Sequence, residues 1–245
     1  LIIPFLSFGQ GWEQTYGGGS SDTATGGVQQ TTDGGYIIAG FTTSFGNGSR
    51  DFYLLKTDGN GVEQWYNTFG GIGYDQARAV QQTADEGYII TGYTASFGNG
   101  EYDVYLIKTD GNGNEQWSQT FGGTSYDRSS SVQQTTDGGY ILVGYTQSYG
   151  NGSSDVYVIK TDGNGNEQWS NTFGDEAGET AESIQQTTDG GYIICGTKNS
   201  DGNRDVYLVK INNNGTEEWS NTFGGEDVSY SISLVNSDWG QDVKQ

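Results

Sequence analysis

Aspartate, asparagine and glycine recur together in short segments that have the composition of calcium-binding turns. Three equivalent segments begin at Asp58, Asp110 and Asp162. Oxygen-bearing side chains at alternate positions, as in Asp-Gly-Asn-Gly-Asn-Glu from Asp110, are typical of the first half of a calcium loop. The bidentate glutamate that completes such a loop is missing, and Asp-Gly and Asn-Gly also favour tight hairpin turns. We therefore expect hairpin turns and no cofactor, with calcium at these three aspartates as the alternative.

Few side chains are of the types needed for acid–base or nucleophilic catalysis. The chain has no His and one cysteine, Cys195, which replaces Thr91 and Val143 of equivalent segments. The absence of His excludes Ser–His–Asp and Cys–His catalysis and histidine-based zinc sites. Paired carboxylates remain, and the acidic run 175–182 is where a glycosidase-like pair would be sought. We expect a protein that is not an enzyme, with a carbohydrate-active enzyme using this run as an alternative.

Aromatic and polar residues recur in two sets of predicted loops. The segments Ser-Phe-Gly-Asn-Gly and Ser-Tyr-Gly-Asn-Gly supply Phe45, Phe97, Asn99, Tyr149 and Asn151, and the connections between repeats supply Tyr74, Asp75, Tyr126 and Asp127. If successive strands alternate in direction, both sets emerge on one face. Aromatic planes beside amide and carboxylate groups suit sugar rings, and aromatics also anchor protein partners. We predict that these residues bind a glycan or a protein; alternatively, the aromatic rings only order the loops.

A repeat of about 52 residues supplies the elements that would position these loops. Equivalent tyrosines stand at Tyr36, Tyr88, Tyr140 and Tyr192, each 52 residues after the last. Each unit contains four short runs of β-forming residues separated by Gly-rich turns. Both faces of the run 104–107 are apolar, so that strand needs cover on both sides. The pattern predicts an all-β β-propeller of four-stranded blades, with a stacked solenoid or two β-sandwiches as alternatives.

The predicted blades leave partial strands at both ends of a single repeat domain, 11–245. The four full blades span approximately 26–70, 78–122, 130–174 and 182–224, with an isolated outer strand at 11–18 and a partial blade at 226–245. Residues 1–10 are mostly apolar and indicate a signal-peptide remnant, or alternatively an N-terminal strand. The unpaired partial strands lead us to expect a fragment of a longer propeller.

Repeated tryptophans fall on the predicted outer strands. Trp65, Trp117, Trp169 and Trp219 recur once per unit. One buried Trp removes ~200 Å² from water, so we predict that these residues pack between blades. An exposed row of Trp side chains that binds sugars or hydrophobic partners is the alternative.

Charge and composition narrow the classes of partner. The formal net charge is −21, from 31 acidic and 10 basic residues. This charge repels nucleic-acid phosphates, so we expect no nucleic-acid partner. After the first residues no segment approaches the ~20 apolar residues that span a bilayer, so we expect no membrane insertion. Seventeen Tyr, ten Phe and six Trp indicate a folded chain despite 42 Gly.

Over approximately residues 11–225 the units resemble a group of secreted bacterial β-propeller repeat proteins. The resemblance is carried by Asp-Gly-Gly-Tyr-Ile-Ile and by Asp-Val-Tyr-Leu-Ile-Lys-Thr-Asp-Gly-Asn-Gly-Asn-Glu-Gln-Trp. Many members of that group carry a C-terminal sorting domain, which this sequence lacks. The resemblance implies a secreted or surface-attached propeller and no particular activity. We expect a non-catalytic binding module, with a structural spacer that has no dedicated ligand as the alternative.

Overall fold

The structure, a computed structural model, describes residues 12–200 and 202–224. Across these residues all regular secondary structure is β-strand, and seventeen strands form four antiparallel sheets. We number the sheets 1 to 4 in chain order, and each corresponds to one repeat. The predicted all-β fold, with one small sheet per repeat, is confirmed.

Each sheet is built from strands that follow one another in the chain. Sheet 1 contains β1 (Asp22–Thr23), β2 (Val28–Gln30), β3 (Tyr36–Thr42), β4 (Asp51–Thr57) and β5 (Glu63–Phe69). Sheet 2 contains β6 (Asp75–Gln82), β7 (Tyr88–Thr94), β8 (Asp103–Thr109) and β9 (Glu115–Phe121). Sheet 3 contains β10 (Asp127–Gln134), β11 (Tyr140–Thr146), β12 (Asp155–Thr161) and β13 (Glu167–Phe173). Sheet 4 contains β14 (Glu179–Gln186), β15 (Tyr192–Ser200), β16 (Asn203–Ile211) and β17 (Glu217–Phe223).

The first strand of each sheet begins earlier than the sequence pattern indicated. Sheets 2 to 4 begin at Asp75, Asp127 and Glu179 rather than near 78, 130 and 182. In β6 the register with β7 shifts between Ala77 and Ala79, which leaves Arg78 in a bulge. A bulge breaks the period-two alternation of side chains, so the part of the strand that precedes the bulge, residues 75–77 in β6, is not recognised from the alternation of apolar and polar residues. In sheet 1 the same strand is divided, and β1 and β2 both pair with β3.

The middle strands are buried on both faces. In β7, Ile89 belongs to a hydrophobic cluster shared with sheet 3, whereas Ile90 belongs to one shared with sheet 1. Both side chains are at most 1% exposed. A third cluster joins sheets 3 and 4. Sheets 2 and 3 are therefore covered on each face by the sheets before and after them in sequence, as the doubly apolar strands predicted.

The repeated tryptophans pack between neighbouring sheets. The ring of Trp65 on β5 lies 5.8 Å from that of Tyr88 on β7, and Trp117 lies 5.8 Å from Tyr140. A Cβ at Gly113, which has a φ of 78°, would lie 2.5 Å from the Trp65 ring. Glycine there allows both the positive φ of the hairpin turn and the close approach of the indole. The prediction of inter-sheet packing is confirmed for Trp65, Trp117 and Trp169.

The segment that begins at Trp12 covers the outer face of sheet 1 without joining a sheet. Trp12 lies 6.0 Å from Tyr36, as Trp65 lies against Tyr88. Residues 12–18 are nevertheless not in a strand, so the outer strand predicted at 11–18 is wrong for the described residues. The physical reason is that a strand needs a backbone partner, and among the described residues no backbone-to-backbone hydrogen bond ties this segment to sheet 1.

The far face of sheet 4 is open within the part of the chain that the structure describes. Val206 is 48% exposed, whereas its equivalent in sheet 3, Val156, is 0% exposed. The predicted segments 1–10 and 226–245 lie outside the described residues. In the described ranges, no helix offers an apolar stretch of the length that a bilayer crossing requires.

Candidate functional site

The predicted loops gather at one end of the sheets. Here lie the loops 43–50, 70–74, 95–102, 122–126, 147–154 and 174–178, which together we call the loop face. The backbone of Tyr102 bridges that of Tyr126, and Arg50 bridges Tyr74 in the same way. Alternating strand directions therefore bring the two sets of loops together, as expected. The tight Asp-Gly turns lie at the opposite end.

Two predicted site residues, Asp75 and Asp127, lie beneath the loop face rather than in its loops. Both begin strands and both are 0% exposed, so their assignment to the connecting loops is wrong. Asp75 accepts hydrogen bonds from the Thr94 hydroxyl, from Ser96 Oγ at 2.6 Å and from the Gly71 amide at 2.8 Å. Gly71 and Ser96 belong to the two neighbouring loops, and Thr94 ends β7. Asp75 therefore holds the loops in position, and its carboxylate is occupied by the protein itself.

Phe97 and Tyr149 line two equivalent grooves between the outer strands of neighbouring sheets. In the first, which we call groove A, Phe97 lies above Tyr105, with Glu115 and Ser118 along one wall and Thr68 to Gly70 along the other. Phe97 is 45% exposed, and its ring centroid is 5.5 Å from that of Tyr105. The cavity has a volume of about 480 Å³. Burial raises the pKa of Tyr105 to about 12, so its hydroxyl stays protonated at neutral pH.

The second groove, groove B, repeats this arrangement one sheet further along. Its residues are Tyr149, Tyr157, Glu167 and Ser170, and its volume is about 560 Å³. Tyr149 is 46% exposed and lies 5.8 Å from Tyr157. Its hydroxyl donates to the Gly122 carbonyl at 2.7 Å, which fixes the ring over the groove. Groove B therefore repeats the glutamate, serine and buried tyrosine of groove A, with Tyr149 in place of Phe97. In groove B, Ser170 Oγ donates to Glu167 Oε1 at 2.8 Å.

In sheet 1 the equivalent groove is filled by a side chain of the protein. Tyr66 stands where grooves A and B have serine. The predicted site residue Phe45 stacks on Tyr66 at 4.9 Å and is half-buried. The Phe45 ring therefore packs within the protein and orders its loop, as the alternative interpretation predicts. The rings of Phe97 and Tyr149, in contrast, are about half exposed to solvent.

Asn99 and Asn151 lie at the exposed tips of their loops. The backbone amide of Asn99 donates to Asp103 Oδ2 at 3.0 Å, and that of Gly100 donates to the same oxygen at 3.1 Å. Burial raises the pKa of Asp103, and the nearby Asp127 carboxylate adds to this shift. Asp103 therefore shapes the loop from below, and the asparagine side chains stay at its tip.

A cluster of cationic and aromatic residues lies at the inner end of the loop face. Tyr74 and Tyr126 belong to it, together with three residues that pattern reasoning missed: Arg50, Tyr93 and Arg128. The Arg128 guanidinium carbon lies 4.4 Å from the Tyr93 ring centroid and 5.8 Å from that of Tyr126. The Arg50 guanidinium lies 5.1 Å from the Tyr74 ring. Arg128 departs from the repeat, since Gln76 and Thr180 hold the equivalent positions, whereas Arg50 has an equivalent in Arg204 of the fourth unit. That departure was the signal available in the sequence.

The Asp-Gly turns use their carboxylates internally. Asp110 Oδ1 accepts from the amides of Asn112 and Asn114, each at 2.9 Å, and Oδ2 accepts from the Asn114 side chain at 2.9 Å. These hydrogen bonds, the one from the Asn114 side chain first, lower the pKa of Asp110. Asp58 and Asp162 cap their own turns in the same way. Within residues 12–200 and 202–224 no group of three or more His, Cys, Asp or Glu is placed to hold a metal ion.

The acidic run 175–182 does not bring its carboxylates to one free site. Asp175 pairs with Lys198, which also lies 3.4 Å from Glu179 Oε1. Glu179 begins β14 and is 0% exposed. Glu182 occupies the bulge of that strand, and burial raises its pKa.

Comparison of the sequence with protein-family models and with curated proteins returns no match.

Proposed function

We propose that this chain is a β-propeller repeat protein, secreted or displayed at the cell surface, that binds a glycan without catalysis. The observation that carries the proposal is the pair of equivalent grooves. Each places a half-exposed aromatic ring, Phe97 or Tyr149, beside a glutamate and a serine. Stacked four-stranded sheets are the units from which propellers are built. Secretion is supported by the resemblance of the repeats to secreted propeller proteins.

The chemistry of the grooves suits a sugar ring. An aromatic plane offers stacking area to the C–H face of a sugar, while a carboxylate and a hydroxyl bond its hydroxyl groups. In groove A these are the Phe97 ring, Glu115 and Ser118. Both grooves are open to solvent and have volumes of about 480 and 560 Å³, so each suits one or two sugar units of a longer chain. Two such sites on one rigid scaffold raise the affinity for a polymer that reaches both.

The catalytic alternative has little support from the geometry of the acidic run. A glycosidase needs two carboxyl groups facing one substrate about 5–9.5 Å apart. Asp175 is paired with Lys198, and Glu179 is buried at the start of its strand. One experiment, described next, distinguishes glycan binding from protein binding or a spacer role.

A glycan array followed by titration calorimetry tests the proposal. The variant is Phe97→Ala combined with Tyr149→Ala, which removes both exposed rings and leaves the buried Tyr105 and Tyr157 in place. Each aromatic–sugar contact contributes on the order of 1 kcal/mol, so we expect at least a tenfold loss of affinity for the array hit. The control is Ile72→Ala, since Ile72 is 88% exposed on the loop face and lies outside both grooves.

The outcomes separate the candidate functions. Loss of binding in the double variant, with retention in the Ile72 control, supports glycan binding in the grooves. Equal binding by wild type and double variant would reject the grooves as the site. No binding to any glycan on the array would favour a protein partner or the spacer role.

A further inference from the structure

The inner end of the loop face contains two equivalent aromatic cages that hold an arginine in different ways. In the first, between sheets 1 and 2, Phe41 and Tyr74 flank Arg50 at 4.2 and 5.1 Å from the ring centroids. In the second, between sheets 2 and 3, the equivalent rings are Tyr93 and Tyr126, and they flank Arg128. The two rings of the second cage thus lie 52 residues after those of the first.

The first cage contains an acceptor for its arginine. Gln76 Oε1 receives a hydrogen bond from Arg50 Nη1 at 3.3 Å and another from the Tyr93 hydroxyl at 2.8 Å. The Arg50 guanidinium thus packs against two aromatic rings and also donates a hydrogen bond to Gln76. The protein itself therefore supplies this arginine with an acceptor.

The second cage lacks that acceptor. Arg128 itself stands at the position equivalent to Gln76, and Tyr102 stands where the first cage has Arg50. In the described part of the chain Arg128 Nε is buried and has no hydrogen-bond partner. The rings of Tyr93, Tyr102, Tyr126 and Tyr145 surround the guanidinium at 4.4–5.9 Å. Ring faces attract the cation, but they offer no acceptor to the Nε–H donor, which lies in the guanidinium plane.

The charges around this cage make an unpaired arginine unusual. Although the chain carries a net charge of −21, none of the ion pairs in the described residues involves an arginine. Glu101 bonds the hydroxyl of Tyr126 at 3.4 Å rather than the guanidinium. Arg78, on the neighbouring bulge, lies 5.9 Å from the Tyr93 ring and adds a second positive charge. Two arginines therefore lie near the Tyr93 ring in a chain whose net charge is negative.

We propose that Arg128 binds the carboxylate of an acidic sugar. A guanidinium recognises a carboxylate through two parallel N–H···O bonds, which would give its in-plane donors an acceptor. The half-buried rings of Tyr102 and Tyr126 offer flat surface to the attached ring. That the carboxylate belongs to a sugar rests on the proposed function, whereas anion binding at Arg128 does not.

Titration of the ¹⁵N-labelled protein with D-glucuronate, D-glucose and sodium sulfate tests the proposal. The Nε–H signals of arginine side chains are observed directly by NMR, and the chain has four arginines to assign, Arg50, Arg78, Arg128 and Arg204. We expect glucuronate to shift the Arg128 signal saturably, with a Kd on the order of 1 mM for a monosaccharide. Glucose should leave the signal unchanged. A shift by sulfate as well would indicate a general oxyanion site and overturn carboxylate selectivity.

Two matched variants identify the residue. With binding followed through the backbone amide signals of Tyr102 and Tyr126, Arg128→Gln should weaken glucuronate binding by about tenfold or more. Arg204→Gln, which changes the net charge equally at an exposed arginine, should retain it. Phe97→Ala should leave the glucuronate response intact, so failure of the grooves and failure of this site can be told apart. An Arg128 signal that does not move with glucuronate or sulfate would overturn the proposal.

Discussion

The ring of Trp65 on the outer strand of sheet 1 lies 5.8 Å from that of Tyr88 in sheet 2. The same relationship recurs at Trp117 and Tyr140 and, at 6.2 Å, at Trp169 and Tyr192. Each pair joins two sheets whose strands do not pair with one another, apart from isolated backbone bridges at the loop face such as that between Arg50 and Tyr74. Side-chain packing therefore holds the sheets against one another, and the free energy of unfolding should respond to whether each Trp has a facing sheet.

Trp117→Ala should destabilise the protein more than Trp219→Ala. Trp117 packs against sheet 3, whereas Trp219 is 44% exposed on the open face of sheet 4. Removing a partly buried indole costs about 2–3 kcal/mol, and removing an exposed one costs less than about 1 kcal/mol. Urea unfolding followed by circular dichroism measures both. Equal losses would show that the far face of sheet 4 is covered in solution.

Glu86→Gly should stabilise the protein. Glu86 has a φ of 65°, while its equivalents Gly34, Gly138 and Gly190 have a φ of 83–84°. A positive φ destabilises a residue that has a Cβ by roughly 1–2 kcal/mol. Part of the gain on substitution is lost because glycine raises the conformational entropy of the unfolded chain. We expect a gain of about 0.5–1 kcal/mol in urea unfolding.

Gly138→Ala is the matched control for that substitution. A Cβ there meets no atom within 4 Å, so only the backbone conformation opposes it. It should destabilise by about 1 kcal/mol. If Glu86→Gly lowered the unfolding midpoint, the Glu86 side chain would have to contribute a stabilising interaction of its own.

Stability should rise as the pH falls from 7 towards about 4–5. Burial raises the pKa of Asp51, Asp103 and Asp155, with smaller contributions from neighbouring carboxylates. A carboxyl group whose pKa is raised on folding binds its proton more tightly in the folded state. Folding is therefore favoured as the pH falls through the folded pKa, and this gain is complete below the ordinary pKa near 4. Asp103→Asn should reduce the rise in the urea midpoint over this range.

Below pH 4 the trend should reverse. The hydrogen bond from Lys56, first among several, lowers the pKa of Asp33, and hydrogen bonds from Thr187, Gly191 and Lys210 lower that of Asp189 to about 2. A lowered folded pKa gives stability that is present above the ordinary pKa and is lost as the pH falls towards 2. The urea midpoint should therefore pass through a maximum between neutral pH and pH 4. A monotonic decrease from pH 7 would contradict this assignment.

Calcium should leave the melting temperature unchanged. The carboxylates of Asp58, Asp110 and Asp162 are occupied by donors of their own turns. A ligand that binds only the folded state raises the melting temperature as its concentration exceeds its Kd. Differential scanning calorimetry with calcium and with a chelator measures this directly. An increase that Asp110→Asn abolishes would establish a metal site instead of a turn.

The local elements of this protein follow from its sequence, because they depend on neighbours in the chain. Doubly apolar runs such as 104–107 predict covered strands, and Asp-Gly turns such as that at Asp110 predict hairpins. The regular return of Tyr88 and its equivalents predicts one sheet per unit. Because the four units have nearly the same sequence, each of them supports these predictions independently.

The sequence did not determine which unlike residues meet between the units. The bulge at Arg78 hides the start of β6, so Asp75 looked like a loop ligand, although it is a buried support of two loops. Arg128 stands where the second and fourth units have Gln76 and Thr180, and the rings around it are tyrosines from two sheets. Backbone pairing is set by local pattern, whereas such a cage exists only once two sheets are pressed together. Stacking therefore decided where the candidate sites lie.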